Sequence, residues 1–137
     1  MKRSVLLLVA GAASTTVAAL ATLPSATAGQ MPIERAKIAA GEVVFQTQCR
    51  ACHSPDPAEN TFGPTLAGVI DRPAGDLPRF AYSDAMRESG VVWTADNLRL
   101  WMADNEGFMP GTRMRHVSIT DPAAQDFLLA YIGSLGR

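Results

Sequence analysis

The segment Cys49-Arg50-Ala51-Cys52-His53 constrains this chain more than any other feature, because it contains both of the cysteines and one of the two histidines. Two thiols separated by two residues and followed directly by an imidazole form the spacing of covalent haem attachment. The thiols can add to the two vinyl groups of one haem while the imidazole reaches its iron. The motif therefore predicts one haem c, attached at Cys49 and Cys52, with His53 as an axial ligand.

Three other chemistries use paired cysteines, and the sequence supports each of them less well. A thioredoxin-like redox pair needs a βαβ setting, and a zinc site needs further soft ligands. The chain has no third cysteine, and its other histidine is the distant His116. A structural disulfide between Cys49 and Cys52 would leave His53 without a role.

The N-terminus has the pattern of a secretory signal peptide. The basic start Met1-Lys2-Arg3 precedes an apolar stretch that runs to about Leu23, and the small residues Ala26-Thr27-Ala28 follow it. We predict cleavage after Ala28, which leaves residues 29–137 as a single periplasmic domain. An uncleaved membrane anchor is the alternative, although hydroxylated residues within the apolar stretch weaken a spanning helix.

Charge and length narrow the class of protein further. The chain has 12 basic and 13 acidic residues, which argues against a nucleic-acid-binding protein. A domain of this length has a thin core, and a buried haem would add apolar surface that its side chains cannot supply.

The hydrophobic pattern predicts an all-α protein of three to five helices with long loops. The first helix covers residues 34–50 and delivers the cysteines at its C-terminal end. Residues 83–87 form one or two turns, Thr94 caps a helix that runs to about residue 104, and Asp121 with Pro122 opens one that ends near residue 133. Glycines and prolines recur over residues 62–80, which favours an irregular segment; loops this long are expected where they enclose a cofactor.

Several side chains could occupy the iron position opposite His53. Met114 is favoured because the preceding Pro110-Gly111-Thr112 can turn the backbone sharply and hold a thioether over the ring plane. Thioether ligation stabilises ferrous iron and closes the site to oxygen. His116, Met109 and an open site remain alternatives.

The order of these features along the chain resembles that of a bacterial class I c-type cytochrome, close to the mitochondrial type. The resemblance covers nearly all of residues 34–134. It rests on Gly41, Phe45, the cysteine–histidine motif, Gly63-Pro64, Gly68, Arg72, residues 80–85, Trp93, residues 110–114 and residues 128–131.

This resemblance implies a role for each matched position. The Pro64 carbonyl would accept a hydrogen bond from the His53 ring, and Gly41 would let the first and last helices approach closely. The donors expected at the haem propionates are Arg72, Tyr82 and Trp93.

Several positions depart from the family pattern. Trp101 replaces a tyrosine near the methionine sulfur, and Met86 replaces an asparagine. At the haem edge, Glu106 and Gly107 stand where the family has lysines, and Arg113 replaces another. Specific partners therefore cannot be inferred from the resemblance.

The implied function is that of a periplasmic, monomeric, single-haem carrier of one electron between respiratory or photosynthetic partners, not an enzyme. We place its docking face near Arg113, Arg115 and His116, a locally basic edge. One alternative is a dedicated electron-accepting cytochrome subunit of a periplasmic dehydrogenase. Another is a haem enzyme or gas sensor with an open sixth site.

Overall fold

The structure, a computed structural model, describes residues 27–115 and 117–135. Most of the predicted signal segment and His116 lie outside these residues. The described elements are α1 (Thr27–Gln48), α2 (Asp84–Glu88), α3 (Ala95–Ala103), α4 (Asn105–Phe108) and α5 (Pro122–Ser134). Over the same ranges there is no strand, only an isolated bridge between Pro73 and Val92, so the all-α prediction is confirmed.

Three helices begin at side-chain N-caps, at the positions predicted from the sequence. The Ser83 hydroxyl accepts a hydrogen bond from the Met86 amide at 3.2 Å, and the Thr94 hydroxyl accepts one from Asn97 at 3.1 Å. Asp121 accepts one from the Ala123 amide at 2.7 Å. Each cap satisfies a backbone N–H that has no partner within its own helix.

Two helices differ from the prediction. α1 begins at Thr27 rather than at residue 34, and Pro32 lies inside it, although proline usually marks a helix start. α4 was not predicted, because a single turn that contains Gly107 is too short to show a hydrophobic period. None of the helices in the described ranges combines the length and apolarity that crossing a bilayer requires.

α1 and α5 cross in direct contact at Gly41. A Cβ atom at this position would overlap the Phe127 carbonyl oxygen and lie 2.8 Å from Cβ of Tyr131. One turn further along α1, Phe45 is fully buried and its ring centroid lies 5.2 Å from that of Tyr131. This crossing fixes the C-terminal end of α1, and with it the position of Cys49.

The long segment between α1 and α2 is irregular, as predicted, and is bonded to residues just before α3. The Trp93 amide donates to the Arg72 carbonyl at 2.9 Å, and the Ala74 amide donates to the Val91 carbonyl at 2.8 Å. These bonds hold the loop over one side of the interior.

We expect Gly41→Ala to destabilise the protein, because the helices must separate to admit the new methyl group. The loss should be about 2 kcal/mol, since overpacking outweighs the gain in helix propensity. Denaturant unfolding of the purified holoprotein measures it.

Ala39→Val is the matched control for Gly41→Ala, because Ala39 is exposed on the same helix. It should lower the free energy of unfolding by less than about 1 kcal/mol, through helix propensity alone. Equal midpoints for the two variants would contradict the crossing described above.

Candidate cofactor site

One largely apolar cavity of about 370 Å³ lies between the end of α1, α3, α5 and the loops that connect them. All nine site residues predicted from the sequence line it: Cys49, Cys52, His53, Pro64, Arg72, Tyr82, Trp93, Trp101 and Met114. The fold therefore brings together residues that lie up to nearly half the chain apart in sequence.

The His53 ring is buried and held in one tautomer. Its Nδ1 atom lies 2.6 Å from the Pro64 carbonyl oxygen. A carbonyl can only accept, so Nδ1 carries the proton and Nε2 keeps a free lone pair. Burial lowers the pKa of His53 more than this hydrogen bond raises it. The imidazole is thus neutral and able to bind a metal through Nε2.

Gly63 allows the backbone to lie directly against the face of this imidazole. A Cβ atom there would come within 2.5 Å of His53 Cε1 and 2.8 Å of Nδ1. The Gly63 amide also donates to the Cys52 carbonyl at 2.7 Å, which closes the loop after the motif. Together these contacts fix the position of the ring.

The two thiols line the same cavity and are not joined in a disulfide. Burial, with a smaller effect from Cys52, raises the pKa of the Cys49 thiol to about 11. A neutral thiol is a poor redox nucleophile and a poor zinc ligand, since both roles require the thiolate. Nor do the described residues contain a cluster of three histidine, cysteine or acidic side chains that could hold a metal. Both thiols line a largely apolar cavity, which places them for covalent attachment of an apolar group.

The backbone of Met114 is held by two side chains. Asn105 Nδ2 donates to the Met114 carbonyl at 3.1 Å, and the Met114 amide donates to the Thr112 hydroxyl at 3.3 Å. The Thr112 amide donates a hydrogen bond to the Met109 carbonyl, which closes a turn just before Met114. Gly111 in this turn has a φ of 87°, a backbone conformation that favours glycine. This is the sharp turn expected from the sequence.

The other methionines are placed differently. Met86 and Met102 are buried and also line the cavity, on α2 and α3. Met109 is buried in the hydrophobic core and is not among the residues that line the cavity.

The predicted propionate donors lie on the cavity wall. The Arg72 guanidinium donates to the carbonyls of Ala67 and Thr65, each at 3.1 Å, which fixes its position. Burial raises the pKa of Tyr82 despite the nearby Arg72, so its hydroxyl stays protonated and able to donate. Trp93 packs edge-to-face on Trp101, with ring centroids 5.1 Å apart.

Sequence reasoning missed two structural contacts of the Met114 loop. Arg113, which we assigned to the docking face, donates to the Ala81 carbonyl at 2.8 Å and also to the Tyr82 carbonyl. Asn105 is fully buried although it lies in a polar stretch of sequence. The hydrophobic periodicity gave no indication that Asn105 is buried. The only available signal was the pair Asp104 and Gly107, which is compatible with a capped turn.

The chain is similar to a known protein family and to several known proteins. The family described as Cytochrome c matches residues 38–136. The chain is 42% identical to cytochrome c2 from Blastochloris viridis over 95 residues, which cover 69% of this chain and 74% of that protein. Cytochrome c2 iso-2 from Magnetospirillum fulvum is 40% identical over 87 residues, covering 64% and 91%.

A solved structure shares the fold as well as the sequence pattern. Cytochrome cH from Methylobacterium extorquens superposes with a TM-score of 0.64 and 41% identity, covering 69% of this chain and 95% of that one. The chain therefore belongs to the cytochrome c family, and it is a class I c-type cytochrome, a protein that carries one covalently bound haem c.

Proposed function

We propose that this protein is a periplasmic electron carrier whose haem is attached at Cys49 and Cys52 and ligated by His53 and Met114. The observation that carries the proposal is the single cavity whose wall holds both thiols, an imidazole with a free Nε2 and a thioether. When bound, the haem supplies an iron that changes reversibly between the ferrous and ferric states. The dedicated dehydrogenase subunit is not favoured.

The chain's own contribution is to keep the two iron ligands in place. Pro64 and Gly63 fix the His53 ring, and the Asn105 and Thr112 side chains fix the Met114 backbone. Ligands that do not move between redox states keep the reorganisation on electron transfer small.

The charge of the cavity wall supports a carrier that binds an anionic cofactor. Three arginines and no acidic residue lie among the described residues that line the cavity. We propose that Arg72, Tyr82 and Trp93 donate to the haem propionates, because each of these side chains can donate a hydrogen bond. None of the described residues that line the wall is a carboxylate that could act as a general base.

Trp101 completes the wall on the α3 side. It is buried between Trp93 and Phe108, with its ring centroid 6.2 Å from that of Phe108. Because the Trp101 ring packs on two other aromatic rings, we propose that it contacts the macrocycle mainly through its apolar surface.

We propose a docking face at the rim of the cavity, with Arg115 as its accessible charge. Arg115 is exposed and also lines the cavity. Phe62, which is 78% exposed, adds apolar surface to the rim. Arg113 is a poorer test of docking, because its guanidinium is bonded to two carbonyls and its loss would disturb the Met114 loop.

We expect Met114→Ala to remove the sixth ligand while the haem stays attached. The weak long-wavelength band of sulfur ligation should disappear from the ferric spectrum, and the ferrous protein should bind carbon monoxide. The reduction potential should fall, because the thioether stabilises ferrous iron. Optical titration of the purified holoprotein measures all three.

Met102→Leu is the matched control for Met114→Ala, since Met102 is a buried methionine that also lines the cavity. It should retain the sulfur band and resist carbon monoxide. A sulfur band that survives Met114→Ala would assign the sixth position to another residue.

We expect Arg115→Glu to slow electron transfer to an acidic redox partner at low ionic strength, with the difference shrinking as salt is added. Stopped-flow measurement against a purified partner gives the rate. Arg35→Glu makes the same change in net charge on an exposed part of α1 and is the control. Equal slowing in both variants would point to net charge rather than to a docking face.

A further inference from the structure

We propose that Asn105 is a positioning residue for the sixth iron ligand, because its side-chain amide holds the backbone of Met114 against the cavity wall. This inference rests on the proposed function, in which Met114 ligates iron. Asn105 touches neither the cavity nor the sulfur in this proposal; it acts through the Met114 carbonyl, 3.1 Å from its Nδ2 atom.

The position of Asn105 is itself fixed by hydrogen bonds in α4 and by packing of α4 against α3. Asp104 ends α3 and caps α4, and its carboxylate accepts a hydrogen bond from the Gly107 amide at 2.9 Å. A Cβ atom at Gly107 would overlap that carboxylate, so any larger residue would displace the Asp104 side chain from this bond. The Met109 amide donates to the Asn105 carbonyl at 3.0 Å and closes the turn. α4 also packs against α3, which anchors the turn that carries Asn105 to a second helix.

Because Asn105 is buried, losing its hydrogen bond to Met114 has a large free-energy cost. Asn105 is 0% exposed, so water cannot replace the bond if the amide is removed. An unsatisfied buried carbonyl costs more free energy than the net value of an ordinary hydrogen bond. Met114 lies outside the helices, and the other side chain on its backbone, Thr112, comes from its own loop at 3.3 Å. Asn105 therefore links the Met114 backbone to a separate helical element.

This link predicts a specific effect on ligand exchange at iron. An external ligand can occupy the sixth position only while the Met114 sulfur is detached, so its apparent affinity reports the fraction of detached molecules. The hydrogen bond from Asn105 favours the attached state. Loss of its net contribution to the free energy should raise the detached fraction about fivefold.

The test compares two substitutions of a buried amide by leucine in the holoprotein. Asn105→Leu removes the donor to Met114. Gln125→Leu removes a second buried amide, which donates to the Arg99 carbonyl at 3.2 Å and to the Ile119 carbonyl at 2.7 Å but not to Met114. Imidazole binding to the ferric protein is titrated optically, at a temperature at which both variants are fully folded.

We expect imidazole to bind Asn105→Leu about fivefold more tightly than it binds the unmodified protein. The affinity of Gln125→Leu for imidazole should change little, even if this substitution destabilises the protein as much as Asn105→Leu does. An unchanged affinity in Asn105→Leu, or an equal rise in both variants, would overturn the positioning role. A missing sulfur band in the unmodified protein would instead refute Met114 as the ligand, which is a failure of the proposed function.

A measurement on the unmodified protein covers the case in which Asn105→Leu does not mature. In the ferrous protein, the side-chain amide protons of Asn105 should exchange slowly with solvent by NMR. Saturating imidazole in the ferric protein should accelerate that exchange, because displacement of Met114 breaks the link. Fast exchange in the ferrous protein, or exchange that imidazole leaves unchanged, would overturn the proposal.

Discussion

The close crossing of α1 and α5 at Gly41 is the contact on which the rest of the structure depends. Backbone meets backbone there, since even one methyl group would overlap the Phe127 carbonyl. The crossing sets where α1 ends and therefore where Cys49 lies. It also places Leu128 and Ile132 of α5 on the wall of the same cavity. Helix packing thus determines the geometry of the cofactor site before any iron ligand is considered.

The two proposed iron ligands are restrained by opposite means. His53 is held through its ring, by the Pro64 carbonyl at 2.6 Å and by the backbone at Gly63. Met114 is held through its backbone, by Asn105 and Thr112, so its unbranched side chain keeps its own torsional freedom. An imidazole binds iron only when its ring is oriented, so it requires a hydrogen-bond partner on the ring. A thioether can turn about its own bonds, so it requires only that its backbone be held in place. Both arrangements suit a site that changes valence without changing shape.

The sequence predicted much of the fold because the relevant signals are local. The caps at Ser83, Thr94 and Asp121 are each a side chain that bonds a backbone amide two or three residues later. α4 and the buried Asn105 were missed, because one capped turn has no period and an asparagine in a polar stretch is usually exposed. Arg113 is exposed, as expected, but its hydrogen bonds to the carbonyls of Ala81 and Tyr82 were missed, because these residues lie about thirty positions away.

By itself, the sequence determined the class of cofactor, the chain's all-α character and the order of its helices. Those conclusions need only the spacing of Cys49, Cys52 and His53 and the hydrophobic pattern, which neighbouring residues set. The tertiary structure decided which side chains are buried together and which backbone groups they bond. Such contacts join residues far apart in the chain, and their energies depend on burial and on distances of about 3 Å between donor and acceptor. No local pattern encodes either quantity.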